Sequence, residues 1–218
     1  MDKKDNIRLV IFDFDGTIAD TAGIIVKTMR QTLKHLGLPD VTREQCVATI
    51  GLPLHECFTH VLPMTEEKGL ECAEVYKVIF EDNNANDDVP LFPGVAATLR
   101  TLASRGLTLT IASSRHSSSL NGFISHYGLT DIITLAVGGD MVSKAKPDPE
   151  PVLMTLRQLG VNPAEAIVVG DTTFDIEMGQ KAGVKTCAVT YGYGQTDDLL
   201  RLHPDHVIDR FEQLADIL

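Results

Sequence analysis

The chain lacks the cysteine spacing of a disulfide framework or a zinc site. Its 218 residues include four cysteines, with no C-x-x-C pair and no histidine cluster among them. Zinc-binding domains space cysteines and histidines closely, whereas disulfide frameworks belong to oxidising compartments. We therefore expect free thiols in a reducing compartment at Cys46, Cys57, Cys72 and Cys187.

Basic stretches and long apolar runs are missing as well. The formal net charge is −11, with 30 acidic residues against 19 lysines and arginines. A nucleic-acid-binding domain usually carries a basic face, and a membrane-spanning helix needs ~20 apolar residues. The first residues also lack the apolar core of a signal peptide. From these absences we expect a soluble, cytoplasmic protein that binds neither nucleic acid nor a membrane.

The order of predicted helices and strands divides the chain into two parts. From residue 93 onwards helices and strands alternate, which is typical of a parallel sheet with helices on both faces. Between residues 18 and 88 the apolar spacing predicts helices alone. Strands are predicted at 9–12, 107–112, 132–137, 167–169, 185–189 and 207–208. Helices are predicted at 21–36, 43–49, 54–62, 66–81, 95–105, 117–127, 149–159, 174–182, 196–202 and 211–218.

This pattern predicts an α/β protein with an inserted helical module. With 44% hydrophobic residues, the chain is large enough for one domain that carries a smaller insert. We expect residues 1–17 and 90–218 to form the α/β core, and residues 18–89 to form the inserted helices. The polar run at residues 83–88 is typical of a loop and predicts the boundary. A helical module inserted beside a ligand site suggests a lid.

The pentapeptide Asp13-Phe14-Asp15-Gly16-Thr17 is the most informative motif of the chain. It follows the apolar run at residues 9–12, which we expect to be a buried parallel strand. Its carboxylates therefore follow the carboxyl end of a strand, where open α/β sheets bind their ligands. One aspartate there can attack an electrophile, the second can transfer a proton, and both can hold a hard cation. The alternative is a strand that ends in an ordinary Asp-Gly turn.

Two further polar sites follow the same logic. Ser113 and Ser114 end the strand predicted at residues 107–112, where hydroxyl and backbone N–H groups suit phosphate oxygens. Lys146 lies in a proline-framed turn before a helix, where a fixed cation can neutralise a transferring group. The alternatives are helix capping by serine and an ordinary solvated lysine.

A pair of aspartates follows the strand predicted at residues 167–169. Asp171 ends this strand, and Asp175 stands four residues further on, at the start of a helix. Asp171 can ligate a cation while Asp175 orients a metal-bound water. The alternative is that one aspartate caps the helix and complements its dipole.

Together these sites provide what phosphoryl transfer requires. The reaction needs in-line positioning and charge neutralisation more than covalent chemistry from the protein. The chain offers an aspartate nucleophile, a second aspartate for the proton, a candidate Mg²⁺ site, a lysine and a hydroxyl, in order on successive strands.

The same four motifs resemble those of the haloacid dehalogenase superfamily. The matching residues are Asp13-Phe14-Asp15-Gly16-Thr17, Ser113, Lys146-Pro147 and the run from Gly170 to Asp175. Gly51-Leu52-Pro53, the run from Leu91 to Val95, and Tyr191-Gly192-Tyr193-Gly194 resemble its phosphoglycolate-phosphatase-like branch. This resemblance spans nearly the whole chain and implies a Rossmann-like core with a helical cap.

The resemblance also implies a role for each motif residue. Asp13 corresponds to the nucleophile and a magnesium ligand. Asp15 corresponds to the general acid/base, with its backbone carbonyl on the metal, and its presence argues against dehalogenase chemistry. The implied phosphoryl ligands are Ser113 and Lys146. Asp171 and Asp175 correspond to the other magnesium positions, the latter acting through water.

We therefore expect a Mg²⁺-dependent phosphatase that acts on a small phosphorylated metabolite, phosphoglycolate-like or a sugar phosphate. The main alternative is a sugar-phosphate mutase of the same superfamily. Such mutases resemble this chain but carry a cap arginine where Leu54 stands, which favours the hydrolase. More distant alternatives are a phospho-signalling receiver and a catalytically silent binding protein. Thr49, His55 and Arg43 are candidate specificity residues of the insert, with ordinary surface or loop roles as the alternative.

Overall fold

A six-stranded parallel sheet forms the centre of the protein. The computed structural model describes residues 6–86 and 89–218. Its strands are β1 (Leu9–Phe12), β2 (Thr108–Ala112), β3 (Ile133–Val137), β4 (Ala166–Gly170), β5 (Lys185–Val189) and β6 (His206–Ile208). They lie in the order β3-β2-β1-β4-β5-β6, and each neighbouring pair is parallel. The predicted α/β class is confirmed.

The helices match the predicted ones to within a few residues, with one exception described below. They are α1 (Ala22–His35), α2 (Arg43–Val47), α3 (Leu54–Val61), α4 (Glu66–Asn86), α5 (Val95–Ser104), α6 (Ser117–His126), α7 (Glu150–Leu159), α8 (Thr173–Ala182), α9 (Thr196–Arg201) and α10 (Leu214–Ile217). Short 3₁₀ helices occur at Gly139–Met141, Pro163–Glu165 and Phe211–Gln213. Within the described residues, we find no helix with the length and apolarity required to cross a membrane.

The first strand, β1, lies at the centre of the sheet and is completely buried. All four residues of β1 are fully buried, and β1 pairs with β2 on one side and β4 on the other. Full burial of each such side chain contributes roughly 1.5–3 kcal/mol to folding. Because side chains alternate across a strand, Val10 and Phe12 pack on one face and Leu9 and Ile11 on the other. The residue after β1 therefore has a fixed position at the carboxyl edge of the sheet.

The helices between residues 22 and 86 pack on one another. Helix α4 contacts both α1 and α3. Apolar side chains from this region, among them Met29, Leu33 and Phe58, belong to the same buried cluster as Phe12 and Phe14. The inserted helices therefore lie against the sheet domain in this structure. The division into a core of residues 1–17 and 90–218 and a cap of 18–89 stays a prediction.

The loop predicted at residues 83–88 is wrong for its first four residues. Helix α4 continues to Asn86, while Asp87 and Asp88 lie outside the described residues. The reason is a tertiary contact. Asn83 is buried, and its side-chain amide donates to Thr28 Oγ1 at 2.8 Å and to Gln31 Oε1 at 2.7 Å. These bonds to α1 outweigh the low helix propensity of asparagine.

Glycines end several helices, as the sequence suggests. Gly160 after α7 and Gly183 after α8 both adopt the left-handed conformation that other residues rarely adopt. All four cysteines are buried free thiols.

Candidate active site

The site is built around Asp13, the first residue after β1. Its backbone N–H donates to the carbonyl of Val169 at 2.8 Å, which continues the sheet ladder by one residue. This bond fixes the direction of the Asp13 side chain, which is 8% exposed. One carboxylate oxygen, Oδ1, accepts a hydrogen bond from Lys146 Nζ at 2.6 Å.

Lys146 is a buried cation shared by two carboxylates. Its Nζ also donates to Asp175 Oδ1 at 2.6 Å, and its side chain is 3% exposed. Burial by itself lowers the pKa of Lys146, but Asp13 and Asp175 outweigh burial, so the pKa is raised. The lysine is therefore charged at neutral pH, and the interpretation as a solvated lysine is wrong.

The loop before Lys146 is held by one carboxylate of α7. Glu150 accepts hydrogen bonds from Ser143 N at 3.0 Å, Ser143 Oγ at 2.7 Å and Lys144 N at 2.9 Å. The Lys146–Pro147 peptide bond that follows is cis. Lys146 thus reaches Asp13 from a loop that lies more than 130 residues later in the chain.

Asp171 and Asp175 approach Asp13 from the end of β4. Asp171 accepts from Thr17 Oγ1 at 2.9 Å and from the backbone N–H of Tyr193 at 2.7 Å. Asp175 accepts from the N–H of Thr172 at 3.0 Å and from its hydroxyl at 2.7 Å. The capping interpretation and the site interpretation of Asp175 are therefore compatible, since one oxygen contacts Thr172 and the other contacts Lys146.

Three carboxylates form one buried cluster. Oxygen atoms of Asp13, Asp171 and Asp175 all lie within 4.8 Å of one another. Burial raises the pKa of Asp13, an effect that Lys146 opposes and the neighbouring carboxylates reinforce. Burial and Asp175 likewise raise the pKa of Asp171 to about 7. Burial and mutual repulsion thus favour the protonated forms of these carboxyl groups, and their oxygen donors suit a hard divalent cation.

Glycines allow the loops to approach this cluster closely. A Cβ atom on Gly16, whose φ is +91°, would lie 2.3 Å from Asp171 Oδ2. A Cβ atom on Gly192 would lie 2.3 Å from Asp171 Cβ. Both distances are far below van der Waals contact. The Asp-Gly turn and the Tyr-Gly-Tyr-Gly segment therefore serve the packing around Asp171.

Asp15 lies outside the carboxylate cluster and pairs with an arginine that sequence reasoning missed. Arg115 donates from Nε to Asp15 Oδ2 at 3.2 Å and from Nη2 to Oδ1 at 2.5 Å. The available signal was its position, directly after Ser113 and Ser114 at the same sheet edge. Motif reasoning did not use it because arginine is usually a surface residue.

The two serines lie at the end of β2 but differ in their contacts. Ser113 is buried, and its Oγ accepts from the backbone N–H of Arg115 at 3.2 Å. Ser114 Oγ donates to the carbonyl of Gly51, between α2 and α3, at 2.7 Å. The hydroxyl of Ser114 thus joins the sheet domain to the inserted helices. Phosphate binding by either serine stays a prediction.

The three candidate specificity residues of the insert have ordinary contacts. Thr49 is buried, and its hydroxyl donates to the carbonyl of Cys46 at 2.8 Å. His55 Nε2 lies 3.9 Å from Glu56 Oε1, and Arg43 is exposed at the start of α2. These contacts favour structural roles over substrate recognition.

Comparison with known proteins agrees with the motifs. A family model for haloacid dehalogenase-like hydrolases matches residues 10–189. The protein "Probable phosphatase IndB" of Dickeya dadantii is 36% identical over 210 residues, which cover 95% of this chain and 91% of that protein. A phosphoglycolate phosphatase of Aquifex aeolicus is 32% identical over 215 residues, with 93% and 100% covered. A crystal structure of a haloacid dehalogenase-like protein from Bacteroides fragilis has a TM-score of 0.91 at 29% identity, with 95% and 99% covered.

Proposed function

The chain belongs to the haloacid dehalogenase-like hydrolase family, and we propose that it hydrolyses a small phosphomonoester through a phosphoaspartyl intermediate on Asp13. The observation that carries the proposal is the buried cluster of Asp13, Asp171 and Asp175 around Lys146. A structural core has no need of three carboxylates and a lysine in such close contact, because burying charges is costly. A site for a transferring phosphoryl group does need them.

Asp13 is the proposed nucleophile. Its carboxylate follows the central strand, and the bond from its N–H to Val169 holds it at the carboxyl edge of the sheet. One of its oxygens attacks phosphorus, and the bond from phosphorus to the leaving oxygen breaks. In the second step, a water oxygen attacks the same phosphorus and restores the free carboxylate.

Asp15 is the proposed general acid and base. It stands two residues after the nucleophile and outside the three-carboxylate cluster. In the first step its carboxyl group gives a proton to the leaving oxygen, and in the second it takes a proton from the attacking water. Such proton transfer typically contributes 10²–10⁴ in rate.

The phosphoryl oxygens are the proposed partners of Lys146 and Ser113. Lys146 already lies beside Asp13 and is charged, so it can stabilise the negative charge of the phosphoryl group in both the bound substrate and the intermediate. Ser113 stands at the end of β2, the strand next to β1. We also propose Ser114 as a phosphoryl ligand, which requires its hydroxyl to leave the carbonyl of Gly51.

A divalent cation fits the carboxylate cluster. The donor set of Asp13, Asp171 and Asp175 consists of oxygen atoms, which Mg²⁺ prefers. We propose that Asp13, Asp171 and the backbone carbonyl of Asp15 hold Mg²⁺, with Asp175 acting through water. When bound, the metal supplies further positive charge for the transferring group.

The substrate is proposed to be a small phosphorylated metabolite, and the reaction to be hydrolysis. A mutase needs a second cation in the cap to hold its second phosphate. Leu54, at the first position of α3, is half-buried and apolar. Arg43, the other candidate cation of the insert, is exposed at the start of α2. The phosphoglycolate phosphatase of Aquifex aeolicus supports a phosphoglycolate-like ester, with sugar phosphates as the second class to screen.

The test is phosphate release from an aryl phosphate, with and without Mg²⁺, followed by a panel of phosphorylated metabolites. Asp13→Asn removes the nucleophile and a proposed metal ligand while it barely changes volume. We expect turnover to fall to background with the fold intact. Asp197→Asn, at an exposed position of α9, is the matched control and should leave turnover unchanged. Substantial turnover by a folded Asp13→Asn protein would falsify the proposal.

A further inference from the structure

Arg115 places a buried cation beside the proposed reaction centre. Its Nε and Nη2 donate to the two oxygens of Asp15, at 3.2 and 2.5 Å, and its Nη1 donates to Ser119 Oγ at 3.1 Å. Only 9% of the Arg115 side chain and 13% of the Asp15 side chain are exposed. This paired geometry is the one with which arginine recognises a carboxylate or a phosphoryl group.

Aromatic rings surround the guanidinium group. Its Cζ lies 5.0 Å from the ring centre of Phe80, 5.2 Å from that of Phe123 and 5.8 Å from that of Phe14. Phe80 belongs to α4 of the insert, Phe123 to α6, and Phe14 stands between the two motif aspartates. Cζ lies over each of these rings, a cation–π arrangement that leaves the hydrogen bonds of the guanidinium edge to oxygen acceptors.

The position of Arg115 relative to the leaving group follows from the proposed function. Because Asp15 exchanges a proton with the leaving oxygen, the rest of the leaving group lies next to Asp15 and therefore next to Arg115. Burial alone lowers the pKa of Arg115, but Asp15 outweighs burial and the pKa is raised. Asp13 is also close enough for its charge to act on the guanidinium group. Because arginine is not deprotonated in proteins, this cation is permanent.

Arg115 has hydrogen-bonding capacity beyond its present contacts. An arginine side chain carries five N–H donors. Among the residues that the structure describes, three of these donors have acceptors, on Asp15 and Ser119. The remaining N–H groups can donate to a ligand oxygen before either bond to Asp15 breaks.

We propose that Arg115 forms a binding subsite for a second anionic group on the leaving-group side of the substrate. In the free protein, Asp15 occupies this subsite. A carboxylate or phosphoryl group of the substrate replaces Asp15 on the guanidinium edge, and Asp15 becomes free to contact the leaving oxygen. The inference rests on the proposed function and narrows its substrates to esters that carry this second anion.

The exchange favours an anionic leaving group for an electrostatic reason. Removing Asp15 leaves a buried guanidinium group, and an uncompensated buried charge is strongly unfavourable. A second anion restores the compensation, whereas a neutral hydroxyl of the same size does not. A neutral ester therefore binds without displacing Asp15 from Arg115, or displaces it at a large cost. Lys146 does not serve this purpose, because its Nζ lies within the cluster that receives the transferring phosphoryl group.

The first experiment compares two matched substrates on the unaltered protein. Phosphoglycolate carries a carboxylate, and hydroxyethyl phosphate has a neutral hydroxyl group at nearly the same length. We expect kcat/KM to favour phosphoglycolate by about 30-fold or more, mostly through KM, since losing a buried charge pair costs upwards of about 2 kcal/mol. Pyrophosphate, as a third substrate, offers a phosphoryl group as the second anion and shows which anion the subsite prefers.

The second experiment changes Arg115 itself. Arg115→Gln should reduce kcat/KM for phosphoglycolate at least about tenfold more than for hydroxyethyl phosphate, because it removes the charge. Arg115→Lys keeps the charge without the two-bond geometry and should retain part of the preference. Arg100→Gln, at an exposed position of α5, is the matched control and should retain all of it. If Arg115→Gln does not fold, the comparison of the two esters on the unaltered protein and on Arg115→Lys still tests the subsite.

Two results would overturn the subsite. One is equal kcat/KM for the anionic and neutral esters with the unaltered protein. The other is an equal loss on both esters in a folded Arg115→Gln protein, which would limit Arg115 to holding Asp15. Aryl phosphate separates these results from failure of the proposed function. Turnover of aryl phosphate that depends on Asp13, without any preference for an anion, contradicts the subsite alone.

Discussion

Lys146 Nζ lies 2.6 Å from Oδ1 of Asp13, although 133 positions separate the two residues in the sequence. The sheet brings them together, since Asp13 follows the central strand and the loop before α7 returns to the same edge. A second bond, to Asp175, joins the lysine to two of the three buried carboxylates of the cluster.

Replacing Lys146 with methionine should strongly reduce turnover. The change keeps the length of the side chain but removes the cation that Asp13 and Asp175 share. We expect kcat to fall by about 10²-fold or more, as for other groups that stabilise the charge of a transition state. Thermal unfolding in chelator should also occur at a lower temperature, because buried carboxylates lose their partner. The matched control is Lys181→Met, which removes an exposed lysine that pairs with Glu177. A folded Lys146→Met protein with near-normal kcat would contradict the role.

Asp15→Asn should slow turnover by roughly 10²–10⁴ while Mg²⁺ binding remains measurable. The side chain of Asp15 pairs with Arg115 and is not part of the three-carboxylate cluster. Its substitution therefore removes the proton-transfer group without removing a cluster oxygen. Steady-state kinetics and calorimetric Mg²⁺ titration of the same sample check both parts. Loss of Mg²⁺ affinity together with activity would show that the role assigned to Asp15 is wrong.

The stability of the metal-free protein should fall as the pH rises. Burial raises the pKa of Asp171 from 3.8 to about 7. Between these values the folded carboxyl group holds its proton while the unfolded one releases it, so the contribution to stability is lost as the pH rises through about 7. In chelator we expect a lower melting temperature at about pH 8 than at about pH 5, and a smaller difference with Mg²⁺.

Two variants test this assignment. Asp171→Asn should flatten the pH dependence. The hydrogen bond from Arg30 lowers the pKa of Asp40 to about 2, so the contribution of Asp40 is constant above about pH 4. Asp40→Asn should therefore leave the slope unchanged. An Asp171→Asn protein with the same slope as the unaltered protein would refute the assignment.

Residues 18–89 should behave as a mobile lid. In this structure Ser114 Oγ donates to the carbonyl of Gly51 and joins the sheet domain to the insert. We expect hydrogen exchange in α4 to slow when a phosphate mimic binds, since closure excludes water. Ser114→Ala should raise exchange at the same amides in the free protein, whereas Ser104→Ala on α5 should not. Identical exchange in all ligand states would contradict a lid.

The sheet and the motif positions could be predicted because they depend on local patterns. Short apolar runs gave the strands, β1 and β5 with the observed bounds. Asp13 and Asp171 could be placed at one sheet edge because parallel strands point the same way. The length of α4 could not be predicted, since Asn83 is helical by virtue of side chains more than 50 positions away.

Contacts between side chains that are distant in the sequence could not be predicted either. The pairing of Arg115 with Asp15 spans 100 positions and depends on how the loop after β2 turns towards β1. The bond from Ser114 to Gly51 depends on how the insert lies on the sheet domain. No periodicity or spacing reports such contacts, because they follow from tertiary packing rather than from local backbone preference.

The most direct test of the account is to detect the phosphoryl group on Asp13. Asp15→Asn slows hydrolysis of the intermediate as well as its formation, so acid quenching of this variant during turnover should trap some of the acyl phosphate. Mass spectrometry of the peptide that contains Asp13 should then show the added mass of one phosphoryl group. Asp13→Asn should give none. Phosphate release in the unaltered protein, with no trapped adduct at any time and with turnover retained by Asp13→Asn, would contradict the account.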